Sequence, residues 1–460
     1  MDPLGICVNT QTPLLQFVLP ERYAQTNSGP GPTIELSELA EGEDYRFSPG
    51  GVTRMVLPML QRLVSEGVLK KVHWVALNPR APGTIEIPGM TLHYVSLEPD
   101  RMASYAGVKE AIWARAHEAD LDQHHDNLFW TEAFSEYTYY NRVTAELIRE
   151  LDAREDFDAF YVHDFQQLPI GVMLGTLKPK IFRWHIPFHE GAIPESWRSM
   201  LSTYLSAYDV VIVSARKYAK SLKAFGYAGK IVREYPAVDP ATYTKPSETD
   251  VAATCERFGV KREDTIALLV GRMDPTKSQD RAIRSFSEIA PRHPHLKLVL
   301  VGDGSFSGSQ SGLGMSKSEI WRRTLEEQVK RAGLKGRVML TGHVNQLELD
   351  SLYERACFTL LPSPLEGFGL VAVEGWLHNK PVIVARGAGV AELVQDGENG
   401  LLFSPEVPGD LGAKMERLLA EDAGPLREKL ARRGAVTAKK CSIDAAVTVE
   451  RQILNDLFGG

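Results

Sequence analysis

Cysteine is scarce in this chain: four in 460 residues (Cys7, Cys255, Cys357 and Cys441), with no C-x-x-C pair among them. A disulfide framework or a cysteine-built metal site needs closer spacing. Cys7 and Cys357 stand in apolar, strand-like runs, where buried free thiols of a reducing compartment are expected. No run approaches the roughly 18 consecutive apolar residues that a membrane-spanning helix requires, so no integral membrane association is expected. The stretch Met1–Gly5 carries no basic n-region, which argues against a signal peptide and for a cytoplasmic location. Positive charge is also in short supply: 52 Lys+Arg face 59 Asp+Glu, a net charge of −7. Nucleic acid as main partner needs a basic face, and this mildly acidic balance argues against that class. A small phosphorylated ligand needs only a few local cations and stays open. Several motifs are missing as well. Gly302-Asp303-Gly304 lacks the Gly-Lys-Ser/Thr of a P-loop, no run matches G-x-G-x-x-G, and there is no G-x-S-x-G elbow. His124-His125-Asp126 has no fourth ligand at a standard spacing and reads as a solvated helix end, so no metal is expected.

What is present is the composition of an ordinary globular protein, 43% hydrophobic and 24% charged, in a chain long enough for two domains. Short apolar runs alternate with longer segments of helical period. In the first half they are Leu4–Val8, Val72–Leu77, Leu92–Leu97, Phe157–Val162, Lys180–Trp184, Val210–Ser214 and Lys230–Arg233. In the second they are Thr265–Gly271, Leu296–Gly302, Val338–Gly342, Phe358–Pro362, Pro381–Ala385 and Leu401–Ser404, with helical stretches at Trp321–Ala332 and Leu347–Arg355. Strands apolar on both faces and joined through helices describe parallel sheets in an α/β protein. The Pro- and Ser-bearing stretch after Pro236 divides the chain into domains 1–240 and 241–441. The terminal helix, about 442–460, either caps the second domain or packs back on the first. Two long loops are expected, Gln11 to about Tyr45 and Ser305–Ser316.

Four groups of residues could carry chemistry. Arg272 and Lys277 follow the run Thr265–Gly271, and the region beyond the carboxyl end of a parallel strand is where open α/β sheets place ligands. A guanidinium fork and a point charge five residues apart suit a diphosphate, although solvated loop cations would read the same. Leu365-Glu366-Gly367-Phe368-Gly369-Leu370, then Glu374, follows the run Phe358–Pro362 and opens a helix. Its glycines permit tight turns that offer backbone N–H groups to phosphate. Glu366 and Glu374 lie two helical turns apart, so one could face a sugar and the other a ribose; the plain alternative is a helix start with a stabilising carboxylate. Gly50-Gly51 precedes another helical pattern (Val52, Met55, Val56, Met59), where a helix N-terminus favours an anion, though such a turn is often only structural. His163-Asp164 and His185 end two neighbouring strand runs.

These residues resemble the retaining glycosyltransferases of GT-B fold, the class that includes glycogen synthase-like and sucrose synthase-like enzymes. The match rests on Arg272, Lys277, Glu366-Gly367-Phe368-Gly369-Leu370 and Glu374 in order, with Gly302-Asp303-Gly304 and Pro236-Ala237-Val238-Asp239. The first domain is similar to trehalose synthases that join a nucleotide-glucose to glucose, through Val162-His163-Asp164-Phe165-Gln166-Gln167, Phe182-Arg183-Trp184-His185-Ile186 and Trp197. It is similar, more loosely, to trehalose-phosphate synthases through His185-Ile186-Pro187-Phe188. The loop Gln11–Pro49 departs from the trehalose synthase pattern, which puts the acceptor in question.

The resemblance implies two Rossmann-like, doubly wound parallel-sheet domains facing a central cleft. It implies that Arg272 and Lys277 bind the donor diphosphate, Glu374 the ribose, and Glu366 with Phe368, Gly369 and Leu370 the transferred sugar and phosphates. Gly50 and Gly51 would meet the phosphates, His185 the reacting sugar, and Asp164, Gln166 and Trp184 the acceptor. The expected partners are a nucleotide sugar and a sugar acceptor, with no cofactor or metal; a homo-oligomer is left open, as are the donor base and the sugar epimer. Three rivals share parts of this pattern: a trehalose phosphorylase using sugar phosphate, a nucleotide-sugar epimerase, and a non-catalytic nucleotide-sugar sensor.

Overall fold

The computed structural model describes residues 2–18, 32–48, 51–118, 126–304 and 313–459. The chain forms two compact units, one of Met1–Ala237 with Ile443–Gly460 and the other of Val238–Ser442.

The strands of the first unit are β1 (Leu4–Thr10), β2 (Leu15–Phe17), β3 (Thr33–Glu35), β4 (Tyr45–Phe47), β5 (Leu69–Leu77), β6 (Thr84–Ile87), β7 (Met90–Val95), β8 (Ala159–His163), β9 (Lys180–Trp184), β10 (Val210–Val213) and β11 (Lys230–Arg233). A nine-stranded sheet runs in the order β11-β10-β9-β8-β1-β5-β7-β6-β3. Its pairs are parallel except β6 with β7, which run antiparallel. β1 is buried along its whole length, and its alternation divides two cores: Ile6 and Val8 enter one, Cys7 the other. Chain order reverses between β1 and β8, so the carboxyl ends of β8 and β9 flank the place where such sheets leave a crevice.

The helix Ile443–Phe458 belongs to this unit. It buries Ala446, Val447, Ile453 and Leu454 in the same core as Met55, Val56 and Met59 of the helix Gly51–Ser65. A buried ion cluster ties it down. Arg183, on β9, donates through Nη2 to Glu450 Oε1 (2.6 Å) and to Glu234, and through Nε to Tyr161 Oη (3.0 Å). Tyr161 in turn donates to Glu450. All four side chains are at most 3% exposed. One guanidinium faces two carboxylates, and burial, reinforced by the Glu450 charge, raises the Glu234 pKa against the pull of Arg183. Such a carboxyl keeps in the folded state a proton the unfolded chain has lost, so stability falls as pH rises above the ordinary glutamate range of about 4.3. Glu234→Gln should therefore flatten the decline of melting temperature between about pH 5 and pH 8. A decline identical to wild type would assign it to other groups.

In the second unit, β12 (Thr265–Val270), β13 (Leu296–Val301), β14 (Val338–Gly342), β15 (Ala356–Leu361), β16 (Val382–Ala385) and β17 (Leu401–Phe403) form a parallel sheet in the order β14-β13-β12-β15-β16-β17. Chain order reverses between β12 and β15. The expected α/β class, with doubly wound sheets, is what forms.

Two loop expectations need correction. The segment from Gln11 to Tyr45 is not a plain loop, because β2 pairs antiparallel with β4 (Leu15 opposite Phe47, Phe17 opposite Tyr45) and β3 joins the sheet edge beside β6. Strands of three residues are too short to print a period of two. In Ser305–Ser316, residues 305–312 lie outside the described residues, and the helix Leu313–Arg331 begins inside the expected loop.

Candidate functional site

The second unit gathers its predicted residues at the carboxyl ends of its two central strands. Beyond β12, Asp274 accepts from the N–H and Oγ1 of Thr276 (2.9 and 2.7 Å), closing the single turn Pro275–Lys277 that presents Lys277. Gln279 Nε2 donates to the Arg272 carbonyl at 2.6 Å and fixes that backbone. Beyond β15, the chain descends through Pro362-Ser363 to Glu366. Because β12 and β15 are neighbours, these two loops meet: Lys277 Nζ bonds both oxygens of Glu366, at 2.8 and 2.6 Å. The pair is part-buried, 18% and 16% exposed, so it feels less solvent screening than a surface pair. Lys277, Ser363, Glu366, Gly369 and Leu370 border a depression of about 390 Å³.

The turn that carries Glu366 depends on two glycines. Gly369 caps the helix Leu370–Leu377 with φ +106°, and a Cβ there would lie 2.4 Å from Leu361 Cδ2. Gly389 comes so near that a Cβ would sit 2.4 Å from the Gly367 carbonyl; its N–H donates to Glu366 O at 3.1 Å and that of Val390 to Phe368 O at 2.8 Å. Phe368 is buried. Glu374, one helical turn beyond Leu370, is part-buried and accepts a hydrogen bond from Tyr353 Oη at 3.0 Å. Sequence reasoning passed over Tyr353, which looks like a core aromatic inside a helix. It also passed over Ser363, 1% exposed, whose Oγ has no hydrogen-bond partner among the described residues although it borders the depression.

In the first unit the ends of β8 and β9 bring His163, Asp164 and His185 together. His163 Nδ1 lies 3.0 Å from His185 Nε2, one ring donating and the other accepting, with the rings nearly coplanar at 14°. Burial lowers the His185 pKa to about 3, with the Arg183 charge adding to it, so the imidazole is neutral at physiological pH. Asp164 adopts φ +64°, and the His185 N–H donates to its Oδ1 at 3.3 Å. Burial nevertheless raises the Asp164 pKa to about 7, against the backbone donors of Phe165 and His185. Gln166 is part-buried, its carbonyl accepting from Asn141 Nδ2 at 3.1 Å. Trp184 is packed into the core, its ring edge-on to Phe188 and its Nε1 donating to the Pro187 carbonyl at 3.2 Å.

Gly51 opens the helix Gly51–Ser65, whereas Gly50 lies outside the described residues, as do His124 and His125. Among the described residues no three His, Cys, Asp or Glu side chains gather as metal ligands, and no helix is long and apolar enough to cross a membrane.

Known proteins share this layout. Residues 253–437 match the family model of glycosyl transferases group 1, and residues 117–220 that of the trehalose synthase N-terminal domain. D-inositol 3-phosphate glycosyltransferase 2 of Catenulispora acidiphila is 26% identical over 380 residues, 80% of this chain and 82% of that protein. Trehalose synthase of Thermococcus litoralis is 27% identical over 268 residues, 58% of this chain and 61% of its own length. The E. coli trehalose-6-phosphate structure bound with UDP-2-fluoro glucose has a TM-score of 0.74 at 15% identity, over 98% of both chains. The two doubly wound parallel sheets are those of the GT-B fold, and the two family matches follow in chain order, the trehalose synthase N-terminal domain first and glycosyl transferases group 1 second.

Proposed function

We propose that the protein transfers a hexosyl group, glucosyl foremost, from a nucleotide sugar to a small sugar acceptor, with retention of anomeric configuration. The observation that carries the reading is the contact of Lys277 with Glu366 at the carboxyl ends of β12 and β15. As the bond from the anomeric carbon to the donor phosphate breaks, the diphosphate gains negative charge and the sugar becomes oxocarbenium-like. Lys277 and Arg272 take up that charge, and a fixed cation needs no reorganisation when it develops. Glu366 then accepts from hydroxyls of the transferred sugar, Glu374 from those of the ribose, and the turn Phe368-Gly369-Leu370 cradles phosphate oxygens. The acceptor hydroxyl attacks on the face the diphosphate leaves, and its proton passes to the departing phosphate oxygen. No enzyme nucleophile is required, in contrast to many retaining glycosidases.

For the acceptor, free glucose giving trehalose is the reading supported by the match over residues 117–220. Asp164 and Gln166 accept its hydroxyls, His185 serves as a neutral hydrogen-bonding group, and Trp184 shapes the wall. An Asp164 that must be ionised makes kcat/KM for the acceptor rise as pH passes through about 7. Asp164→Asn should lower it and remove the rise; a profile unchanged by this substitution would take Asp164 out of the reaction. Mass-spectrometric product analysis across UDP-, ADP- and GDP-sugars with free glucose, glucose 6-phosphate and inositol 3-phosphate tests the whole reading. Absence of transfer to any free sugar would refute the acceptor. Phosphate-dependent turnover without nucleotide release would mean a phosphorylase, and product from donor alone an epimerase.

A further inference from the structure

Behind Glu374 lies a set of buried groups that the proposed reaction does not use. Tyr353, on the helix Gln346–Arg355, is fully buried in a core with Ile266, Leu268 and Val299. Phenylalanine would fill that space equally well, so packing alone does not call for the hydroxyl, and a buried hydroxyl is costly unless paired. Its proton goes to Glu374 Oε2 at 3.0 Å. The ring is itself held. His378 stacks on it with centroids 4.5 Å apart and planes within 3°, and Tyr243 meets His378 edge-on at 5.2 Å. His378 Nε2 lies 3.3 Å from Asp350 Oδ1. Asp350, completely buried, accepts from Gln346 Nε2 at 2.8 Å and from the Thr244 N–H at 2.9 Å. A chain of groups fixed by backbone and stacking thus ends on one oxygen of a part-buried carboxylate.

We infer that Tyr353 is a positioning residue for the donor: its hydroxyl clamps one oxygen of Glu374 and so orients the other toward the ribose diol. The inference rests on the reading that Glu374 meets the ribose. A carboxylate on a three-bond side chain rotates about its last torsion, and a charge-assisted hydrogen bond to one oxygen removes that freedom before the nucleotide arrives. Loss of the clamp weakens donor binding and leaves the bond-breaking step alone.

The test compares wild type, Tyr353→Phe and Glu374→Gln in the full chain, using UDP-glucose and ADP-glucose with their 2′- and 3′-deoxyribose counterparts. In Tyr353→Phe the donor KM should rise about tenfold, the effect of losing one such hydrogen bond, with kcat nearly unchanged. The preference for ribose over deoxyribose should shrink by the same factor, so that the deoxy donor is handled alike by both proteins. A KM that rises equally for both donors would mean a merely structural role and overturn the inference. Full ribose preference in Tyr353→Phe, lost in Glu374→Gln, would overturn it while leaving the ribose role of Glu374 standing. Wild type indifferent to the deoxy change would overturn both. Calorimetric titration with UDP and ADP and their deoxy forms reads the same differences without turnover, and the melting temperature of Tyr353→Phe checks its fold.

Discussion

Lys277→Ala should lower transfer by about 10²- to 10³-fold, the usual cost of removing one preorganised donor aimed at developing charge, and shift the melting temperature by only a few degrees. The asymmetry follows from geometry. Lys277 is held out by a single turn rather than packed in a core, and its stabilising partner is one carboxylate, Glu366. What folding loses is one part-buried ion pair. What catalysis loses is the cation at the switch between β12 and β15, where a leaving diphosphate would sit. Lys277→Ala leaves Glu366 part-buried without this partner, and the double variant with Glu366→Gln should regain the lost stability and none of the activity. Steady-state kinetics on the preferred donor, with melting curves for wild type and both variants, decides the matter. Wild-type turnover in Lys277→Ala would remove the diphosphate role, and an unfolded single variant with a folded, inactive double variant would support it.

Arg183→Met should cost about 3–5 kcal/mol of stability, because removing the cation from a buried cluster strands its carboxylates. In calorimetry the transition of the first unit should drop on the order of 10 °C, while that of the second, which contains none of the cluster, should stay in place. Replacing Glu234 and Glu450 by Gln in the same protein should recover much of the loss, since neutral amides need no counter-charge. A melting curve of Arg183→Met equal to wild type would show that the cluster contributes no net stability.

The sequence was legible where a physical pattern is dense. The runs Thr265–Gly271 and Phe358–Pro362 are apolar on both faces, so their ends, and with them the candidates Lys277 and Glu366, could be placed before any coordinates. That the two would touch could not be read, because it depends on the pairing of β12 with β15 across some ninety residues of chain. The same limit hid the cluster of Arg183, Glu234 and Glu450: no spacing in the sequence says that charges this far apart meet, and the return of the last helix brings Glu450 to the other two. Tyr353 and Asp350 were hidden differently. They follow the helical period of core and surface residues, and nothing in that period distinguishes a hydroxyl that packs from one that points at a carboxylate. The antiparallel pair of β2 and β4 is too brief to leave a signature at all.

The discontinuity of the first unit has a consequence for biosynthesis. Its sheet is laid down by residue 233, but Glu450 is more than two hundred residues downstream. On the ribosome the guanidinium of Arg183 waits without that counter-ion, beside apolar surface left bare, while the whole second unit is translated and free to fold as a block. The part made first is completed last. A nascent chain halted before residue 443 would therefore display a sticky core that lacks its last covering helix, and chaperone capture of such stalled chains should fall sharply once the final helix has emerged.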